Sequence, residues 1–535
     1  MAGRRTLAVA ALLLVAAAVF VLPVGRRPLY NQDEVRYAIL ARDVVEHGRW
    51  FLPRVRDEVY LNKPPLFFWT VALISLPSGR VSDVSAPLVS VAAALMGVLG
   101  VFAIGRRLWG FAPGLAAAAV LAAMPFYFFM AHQVLTDMML TAWLVWALYF
   151  YLRTVPPAPA PYAWVGFYLC VAGGLSTKGP AALLALLAAV ITSAVVDGRA
   201  GLRALRLPWG LALIALSTLP WLVPYLMQTE RSYTQSVLVT DYLAWYFRLH
   251  GDSRFAALGA YLAGFLPWAL VLPLMAHWWW VAKPDRNRRR LLTWSAVYTV
   301  AVAISAAQRS RYFLPVLPLL ALFFGEFFVR APEAGARGVR RLPLLAGIFV
   351  VMALVAGVAI MWAPPHLSAK GGDWVYLPAG GLERGLMASL LFAGALGSLW
   401  VAWRRAGGFA MATCWALAMI AVLGLEGVGY PSRYAEWYGV KSFAERVRKE
   451  RPVEHLVVAY PDANLAFDFY LRRSIRELRR PDQLRAMVAQ SADRHTLLLR
   501  EDRWTSLRAE ADPSWRPVAS AVVGGRPFVL LRNFE

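Results

Sequence analysis

The chain has 535 residues, of which 59% are hydrophobic and only 16% are charged. A soluble core cannot bury that much apolar surface, so the composition excludes an ordinary soluble protein and predicts a polytopic α-helical membrane protein. The formal net charge of +23 does not indicate nucleic-acid binding, because the basic residues gather in short loops between apolar runs.

Thirteen apolar runs are long enough to cross about 30 Å of hydrocarbon. They lie at 6–24, 84–104, 112–131, 135–153, 162–177, 179–196, 208–228, 256–279, 291–307, 311–329, 342–363, 385–403 and 408–427. The first run follows a basic start but lacks a small-x-small cleavage site, so we expect an uncleaved helix. With the N-terminus in the cytoplasm, every inner loop carries Arg or Lys, as the positive-inside rule requires.

The run pattern divides the chain into two domains. Residues 1–430 form the predicted transmembrane domain, and its longest external loop is 25–83. Residues 431–535 alternate short β-like runs with amphipathic segments, which predicts a small α/β domain. An odd number of spans places this domain outside the cytoplasm, and a bacterial inner membrane is the expected location. Cys170 and Cys414 lie inside apolar runs, so neither a disulfide framework nor a thiolate metal site is predicted.

Ionisable residues collect at the outer ends of the predicted spans. In chain order they are Asp33 and Glu34 in "NQDEVRYAIL", Lys63 in "NKPPLFFW", Asp137 in "LTDMML", Lys178 in "STKGP", His250 in "RLHGDSRF", and Arg309, Arg311 and Tyr312 in "QRSRYFLP". Each has a structural explanation of its own. The acids fit the first turn or cap of a helix, lone lysines extend to lipid headgroups, and an arginine cluster binds anionic lipid.

Taken together, these residues suit one reaction. Transfer of a sugar from a lipid phosphate needs a carboxylate that orients or deprotonates the acceptor. It also needs cations that stabilise the leaving phosphate in a site that excludes water. The amphipathic "ILARDVVEHG" and the apolar "PPLFFWTVALISLP" are expected to lie along the membrane interface beside such a site.

The ordered motifs resemble a known family. Asp-Glu followed by Arg-Tyr, then "KPP", "TD", "TKGP" and R-Y-x-L-P occur in this order over residues 31–318. This set resembles bacterial glycosyltransferases that use lipid-linked sugars and have the GT-C fold. The aminoarabinose transferases that modify lipid A and the protein O-mannosyltransferases are the nearest in pattern. The resemblance implies about thirteen transmembrane helices and an extracytoplasmic C-terminal domain.

The resemblance also implies roles for single residues. Asp33 would be the catalytic carboxylate with Glu34 beside it, and Asp137 a second acid in the cavity. The donor phosphate would be bound by Lys63 and Tyr312, helped by Arg311 and Lys178. Further donor or acceptor contacts are expected from Arg36, Tyr37, His250 and Arg309. Transfer would proceed with inversion and without a nucleotide cofactor.

This sequence departs from the family pattern in two places. The segment "LHGDSRFAALGAYL" lacks the proline and the aromatic cluster expected after the histidine, and Ala244 stands where relatives carry an arginine. The "QDE" motif also lacks the Asp-x-Asp of metal-dependent relatives, so we expect no obligatory metal.

Two other classes of protein remain as alternatives. A transporter or flippase for an amphipathic lipid would place binding groups near the bilayer midplane, where only Glu326 comes close. A non-catalytic scaffold would leave the ordered polar set unexplained. Within the enzyme hypothesis the sugar stays open (aminoarabinose, mannose or galacturonic acid), and so does the acceptor, a glycolipid similar to lipid A, a cell-envelope glycan or a protein.

Overall fold

The computed structural model describes residues 2–56, 58–60, 62–157, 159–227, 265–266, 268–282, 285–304, 310–333, 341–362, 367–368, 375–376, 380–450, 456–459, 464–478, 480–489 and 494–534. Its longer helices are Ala2–Val21, Gln32–His47, Leu66–Ser75, Ser85–Trp109, Phe111–Ala122, Thr136–Thr154, Ala163–Lys178, Leu183–Thr192, Leu207–Met227, Leu272–Ala282, Arg286–Ile304, Val316–Glu333, Arg341–Met361, Gly381–Arg404, Gly408–Tyr438 and Val440–Glu450. The remaining helices are shorter.

Many of these helices are membrane-spanning in length and composition. Within the described part, seven are long and apolar enough to cross a bilayer, or eight if one bent pair counts as a single span. The predicted polytopic helical architecture is therefore confirmed. The number of thirteen spans stays a prediction.

The bent pair replaces the single span expected at 112–131. The chain forms Phe111–Ala122 and then Pro125–Ala131, with an angle of 67° between them. Proline has no amide hydrogen to continue a helix but fits the first turn of a new one. Pro125 therefore ends the first segment and begins the second, and the loop that follows the bend contacts helix Gln32–His47 through the Val134 amide.

The chain reverses direction at Lys178. The first residues of Thr136–Thr154 lie beside the last residue of Ala163–Lys178, and Asp137 binds Lys178 there. At the other end of the same helix, the Tyr151 hydroxyl lies 3.2 Å from the Ser193 hydroxyl. A continuous straight helix would carry Ser193 about 22 Å beyond Lys178, so the segment after Lys178 runs back.

The loop at 25–83, after the first helix, contains two helices and a short hairpin. Helix Gln32–His47 buries one face, and its Asn31 cap accepts a hydrogen bond from the Asp33 amide at 2.9 Å. Strands β1 (Arg54–Val55) and β2 (Glu58–Val59) pair antiparallel and lead to helix Leu66–Ser75. The loop is therefore ordered, and its first helix begins with the predicted acidic pair. A second short hairpin pairs β3 (Leu367–Ser368) with β4 (Val375–Tyr376).

The C-terminal part contains a five-stranded sheet. Helix Gly408–Tyr438 continues past the domain boundary expected at residue 430 and is followed by Val440–Glu450. The strands are β5 (Leu456–Ala459), β6 (Arg476–Leu478), β7 (Thr496–Arg500), β8 (Arg516–Val523) and β9 (Arg526–Arg532), in the order β6-β5-β7-β9-β8. Strand β5 is parallel to β6 and β7, whereas β9 is antiparallel to β7 and β8. Short helices Leu465–Leu471, Pro481–Ala489 and Glu501–Leu507 connect the strands.

Glu326, the charged residue nearest to a midspan position, is part of a buried ion pair. Its carboxylate accepts hydrogen bonds from the Arg288 Nε at 2.8 and 3.0 Å, and its side chain has no exposed surface. The Arg288 guanidinium also lies 4.4 Å from the centre of the Trp278 ring. This carboxylate is fully satisfied within the bundle, which weakens the one observation that suited a transporter.

Candidate active site at the outer ends of the helices

Asp33 lies in the first turn of helix Gln32–His47 and accepts two charged hydrogen bonds. Arg36 donates to Oδ1 at 2.6 Å from one turn further along the same helix. Arg311 donates to Oδ2 at 2.9 Å across a sequence separation of 278 residues. The Asp33 side chain remains 26% exposed. It is therefore held by two guanidinium groups and still open to a substrate.

Asp137 and Lys178 form the second ion pair of the site. The Lys178 Nζ lies 2.5 Å from the Asp137 Oδ1, and both side chains are mostly buried. The helix cap before Asp137 is Leu135, with no side-chain hydrogen bond. Asp137 is therefore not a helix cap, and Lys178 turns to the carboxylate instead of extending to lipid headgroups.

The turn Ser310–Phe313 joins the two ion pairs. The Lys178 Nζ lies 4.7 Å from the centre of the Tyr312 ring, a cation–π contact. The adjacent Arg311 interacts electrostatically with both Asp137 and Asp33. One short turn thus connects residues that come from three separate helices.

Arg311 retains an unused hydrogen-bond donor. Its Nε is buried and has no hydrogen-bond partner among the described residues. A buried donor without a partner costs free energy, about 1–3 kcal/mol and more for a charged group. An anionic oxygen placed beside Arg311 would remove that cost, so the geometry suits an anion receptor.

Aromatic residues of the 25–83 loop line one side of this cluster. The Arg36 guanidinium lies 5.7 Å from the centre of the Tyr60 ring. Tyr37 is buried and packs edge-on against Phe67, with 5.6 Å between ring centres. Burial raises the pKa of the Tyr37 phenol, and Tyr60 and Asp33 raise it further. Tyr37 is therefore neutral, and Lys63 lies half-buried three residues after Tyr60.

Glu34 has surroundings different from those of its neighbour Asp33. It is fully buried, and Arg27 donates to its two oxygens at 2.5 and 3.0 Å. It also accepts a hydrogen bond from the Val134 amide at 2.9 Å, three residues before Asp137. A carboxylate with no exposed surface cannot touch a substrate. Its burial and its hydrogen bonds favour a positioning role for Glu34, and its predicted catalytic role stays a prediction.

Sequence reasoning missed Arg27, the partner of Glu34. Besides the ion pair, Arg27 donates to the His132 carbonyl at 3.4 Å and lies 5.2 Å from the centre of the Tyr434 ring. It was not singled out because "GRRP" after a span reads as an ordinary basic flank. Two of the predicted residues, His250 and Arg309, lie outside the described residues.

The charges of the site come from protein side chains. Three cations, Arg36, Arg311 and Lys178, surround the carboxylates of Asp33 and Asp137. Over the described part of the chain, no three His, Cys, Asp or Glu side chains come close enough to hold a metal ion. The prediction of no obligatory metal stays a prediction.

A family model for dolichyl-phosphate-mannose-protein mannosyltransferases matches residues 62–223. Curated relatives are similar over a longer part. The undecaprenyl phosphate-alpha-4-amino-4-deoxy-L-arabinose arabinosyl transferase of Erwinia tasmaniensis is 24% identical over 366 residues, which is 65% of this chain and 64% of that protein. The enzyme of the same name from Shewanella sediminis is 26% identical and covers 64% of both chains. This chain therefore spans slightly less than two thirds of the length of these relatives.

Solved structures extend the likeness to the whole chain. The crystal structure of ArnT from Cupriavidus metallidurans bound to undecaprenyl phosphate superposes with a TM-score of 0.80 at 20% identity and covers 98% of both chains. The oligosaccharyltransferase of Archaeoglobus fulgidus gives a TM-score of 0.50 at 11% identity, over 94% of this chain and 71% of that one. The resemblance is thus confirmed: this chain has the GT-C fold of ArnT and is similar in sequence to the bacterial aminoarabinose transferases.

Proposed function

We propose that the chain is an integral-membrane glycosyltransferase that moves a sugar from a polyprenyl-phosphate donor to an extracytoplasmic acceptor, with inversion. The observation that carries the proposal is Arg311. It holds the Asp33 carboxylate with one nitrogen and has a second, buried nitrogen without a partner. A phosphate and a sugar bound side by side need this pairing of a cation and a carboxylate.

The donor phosphate would lie between Arg311, Lys178 and Tyr312. Cations placed there stabilise the charge that grows on the phosphate as the glycosidic bond breaks. Lys63, a half-buried residue of the 25–83 loop, is a further ligand in this proposal. The relatives' names specify undecaprenyl phosphate and aminoarabinose, so that donor is the first to test. The same reaction uses no nucleotide, and we propose that it needs no metal ion.

Asp33 would lie on the acceptor side of the sugar. A carboxylate that already accepts two hydrogen bonds from guanidinium groups is a weak base. It suits an acceptor oxygen that is already ionised, such as a glycolipid phosphate, better than a neutral hydroxyl of a glycan or a protein. Asp33 would orient that acceptor through Arg36 and stabilise positive charge developing on the sugar carbon.

The proposal places the site outside the cytoplasmic membrane of a bacterium, with the N-terminus inside and the C-terminal domain outside. The basic end of helix Arg286–Ile304 supports this orientation. Arg286 and Arg290 bind Asp197 there. The helix ends at Ile304, about 27 Å from this basic end, and Arg311 follows seven residues later in the sequence. The positive-inside rule predicts basic residues on the cytoplasmic face, so the basic end of this helix, opposite the site, is proposed to be cytoplasmic.

The test compares Asp33→Asn with the parent protein. Purified protein in detergent, with excess chelator, receives a panel of short polyprenyl-phosphate sugars and a cell-envelope extract as acceptor, and the release of free lipid phosphate is followed. We expect one sugar to support release and Asp33→Asn to lower its rate by at least about 100-fold. The control is Asp482→Asn, since Asp482 is a carboxylate that is 71% exposed.

The outcomes separate the parts of the proposal. Release by Asp33→Asn near the parent rate would remove Asp33 from the reaction. No release from any donor, either in chelator or with added divalent cations, would contradict the enzyme class, provided that size exclusion and thermal unfolding show a folded protein. Loss of release in chelator that one divalent cation restores would overturn the metal-free part alone.

A further inference from the structure

A charged cleft lies between the external loop and the C-terminal domain, away from the site described above. Its volume is about 250 Å³. Helix Gln32–His47 forms one wall with Arg42 and Glu46, about 14–20 Å along the helix from Asp33. The segment before helix Ser85–Trp109 and the C-terminal domain form the other walls. The cleft is therefore separate from the Asp33 cluster.

Cations outnumber acids in this cleft. Its basic side chains are Arg42, Arg80, Lys441, Arg448 and Arg472, and its acids are Glu46, Asp83 and Glu445. Lys441 and Asp83 neutralise each other at 2.6 Å. Arg80, Arg448 and Arg472 are exposed and have no acidic partner among the described residues. Among the described residues that line it, the cleft therefore carries an excess of positive charge.

Arg42 is half-buried in the wall of the cleft, where the charge of Arg472 repels it. It donates to the carbonyls of Asp468 and Phe469 at 3.1 and 3.3 Å, while Glu46 approaches only to 3.9 Å. Burial and the charge of Arg472 hold the pKa of Arg42 below its ordinary value, even though Glu46 and Asp468 oppose this. An added anion would stabilise the charged form of Arg42.

The position of the cleft relative to the bilayer indicates the kind of anion. Val84 lines the cleft and is half exposed, and helix Ser85–Trp109, one of the candidate spans, begins at the next residue. Leu73 and Leu76, which precede Arg80, are 55% and 47% exposed. A headgroup layer is only about 5–8 Å thick on each side of the hydrocarbon. The cleft thus opens at headgroup depth, beside apolar side chains that face outward.

We propose that this cleft binds the phosphate-bearing headgroup of an anionic membrane lipid, with the acyl chains lying along Leu73, Leu76 and Val84. Phosphate is the group that arginine recognises best through paired hydrogen bonds. The site is distinct from the donor-phosphate site and does not depend on the proposed transfer reaction, because binding is measured without turnover. A bound headgroup would link the external loop to the C-terminal domain through Arg80, Arg448 and Arg472.

The experiment measures lipid retention by the purified full-length chain. Protein in detergent is mixed with limiting phosphatidylglycerol and phosphatidylcholine, and the lipid that remains after size exclusion is counted by mass spectrometry. The test variant carries Arg80→Gln, Arg448→Gln and Arg472→Gln. The control variant carries Arg480→Gln, Arg485→Gln and Arg516→Gln, which make the same charge change at exposed positions that do not line the cleft. Thermal unfolding confirms that both variants are folded.

We expect the cleft variant to retain phosphatidylglycerol at least about tenfold less well, and the control to behave as the parent. Equal losses in both variants, or none in the cleft variant, would overturn the proposal.

Two further arms test the site and the ligand. Loss of retention in Arg311→Ala but not in the cleft variant would place the lipid at the donor site. Displacement by millimolar inorganic phosphate would show a receptor for free phosphate and not for a lipid.

Discussion

At the scale of single residues, Asp33 and Arg311 show how one side chain serves two purposes. Asp33 favours the start of helix Gln32–His47 because an acid in the first turn interacts well with the helix dipole. The same carboxylate holds Arg311 across the site. The structural interpretation of the acidic motif is therefore correct for Asp33, its catalytic role stays a prediction, and Arg311 is the residue that connects it to the proposed phosphate site.

Arg311→Lys tests the shape of that cation. Lysine keeps the charge but lacks the planar fork that lets one group bind Asp33 and offer another nitrogen to a phosphate. We expect the KM for the donor to rise roughly 10- to 100-fold, since a hydrogen bond to a charged group contributes about 1.5–3 kcal/mol. Steady-state release of lipid phosphate measures this.

The matched control is Arg330→Lys at a partly exposed position near the opposite end of the bundle. It should leave the kinetics unchanged. Parental KM and kcat in Arg311→Lys would show that charge alone matters, and the forked geometry would lose its role in the proposal.

At the scale of elements, the site depends on where helices begin and end. Asp137 starts one helix and Lys178 ends the next, and the reversal after Lys178 keeps both at one face. The close approach needs small residues: a Cβ added to Gly174 would lie 2.7 Å from that of Ala182. The loop before Asp137 is fixed in turn by Glu34, which accepts from the Val134 amide.

Glu34→Gln tests this positioning role. The substitution leaves the buried Arg27 without a counter-charge, and breaking a buried pair costs about 3–5 kcal/mol. We therefore expect a clear fall in thermal unfolding temperature in detergent, together with reduced transfer. Glu510→Gln, at an exposed and distant ion pair of 3.9 Å, should change stability by less than about 1 kcal/mol.

The two readouts distinguish a positioning residue from a catalytic one. If Glu34→Gln lost turnover while its unfolding temperature stayed at the parent value, Glu34 would take part in the chemistry and the structural interpretation would be wrong.

At the scale of the whole molecule, the C-terminal part that contains the sheet holds the 25–83 loop in place. Arg56, next to the β1–β2 hairpin, donates to the buried Asp468 at 2.8 and 3.0 Å and lies 3.2 Å from Glu477. The Tyr470 hydroxyl accepts from the Leu29 amide at 2.7 Å. The loop that carries Asp33 therefore lies between the apolar helices and the sheet and contacts both, which couples the stability of the C-terminal part to the geometry of the site.

Arg56→Ala tests the clamp and gives a pH dependence. Burial raises the pKa of Asp468, and Arg56 partly opposes this, so removing Arg56 raises the pKa further. A carboxyl whose pKa is higher in the folded state destabilises the fold as pH rises past its unfolded value. The variant should therefore lose about 3–5 kcal/mol near pH 8 and less near pH 5, because lowering the pH toward the raised pKa of Asp468 protonates part of the uncompensated carboxylate.

Unfolding temperatures of the parent and Arg56→Ala at the two pH values measure the effect. Arg516→Ala, which removes an exposed arginine of the sheet, is the control and should show little change at either pH. An equal deficit of Arg56→Ala at both pH values would mean that the uncompensated Asp468 charge is not the cause.

The sequence alone determined the class of protein, the polar set at the outer helix ends and its resemblance to lipid-linked-sugar transferases. Apolar length and charge asymmetry are local properties of a sequence. The order of the motifs that carry Asp33, Asp137, Lys178 and Arg311 can also be read directly along the chain. Only the tertiary structure decided what each side chain contacts. Asp33 and Glu34 are adjacent, yet the roughly 100° turn per helical residue sends one to Arg311 and the other to Arg27.

Those partners lie hundreds of residues away, or in a flank that resembles any basic loop, so no local pattern predicts them. The same holds for the charged cleft, whose walls come from residues 42–84 and 441–472. Its excess charge exists only because packing brings the two segments together. A short-range sequence pattern does not predict such long-range packing.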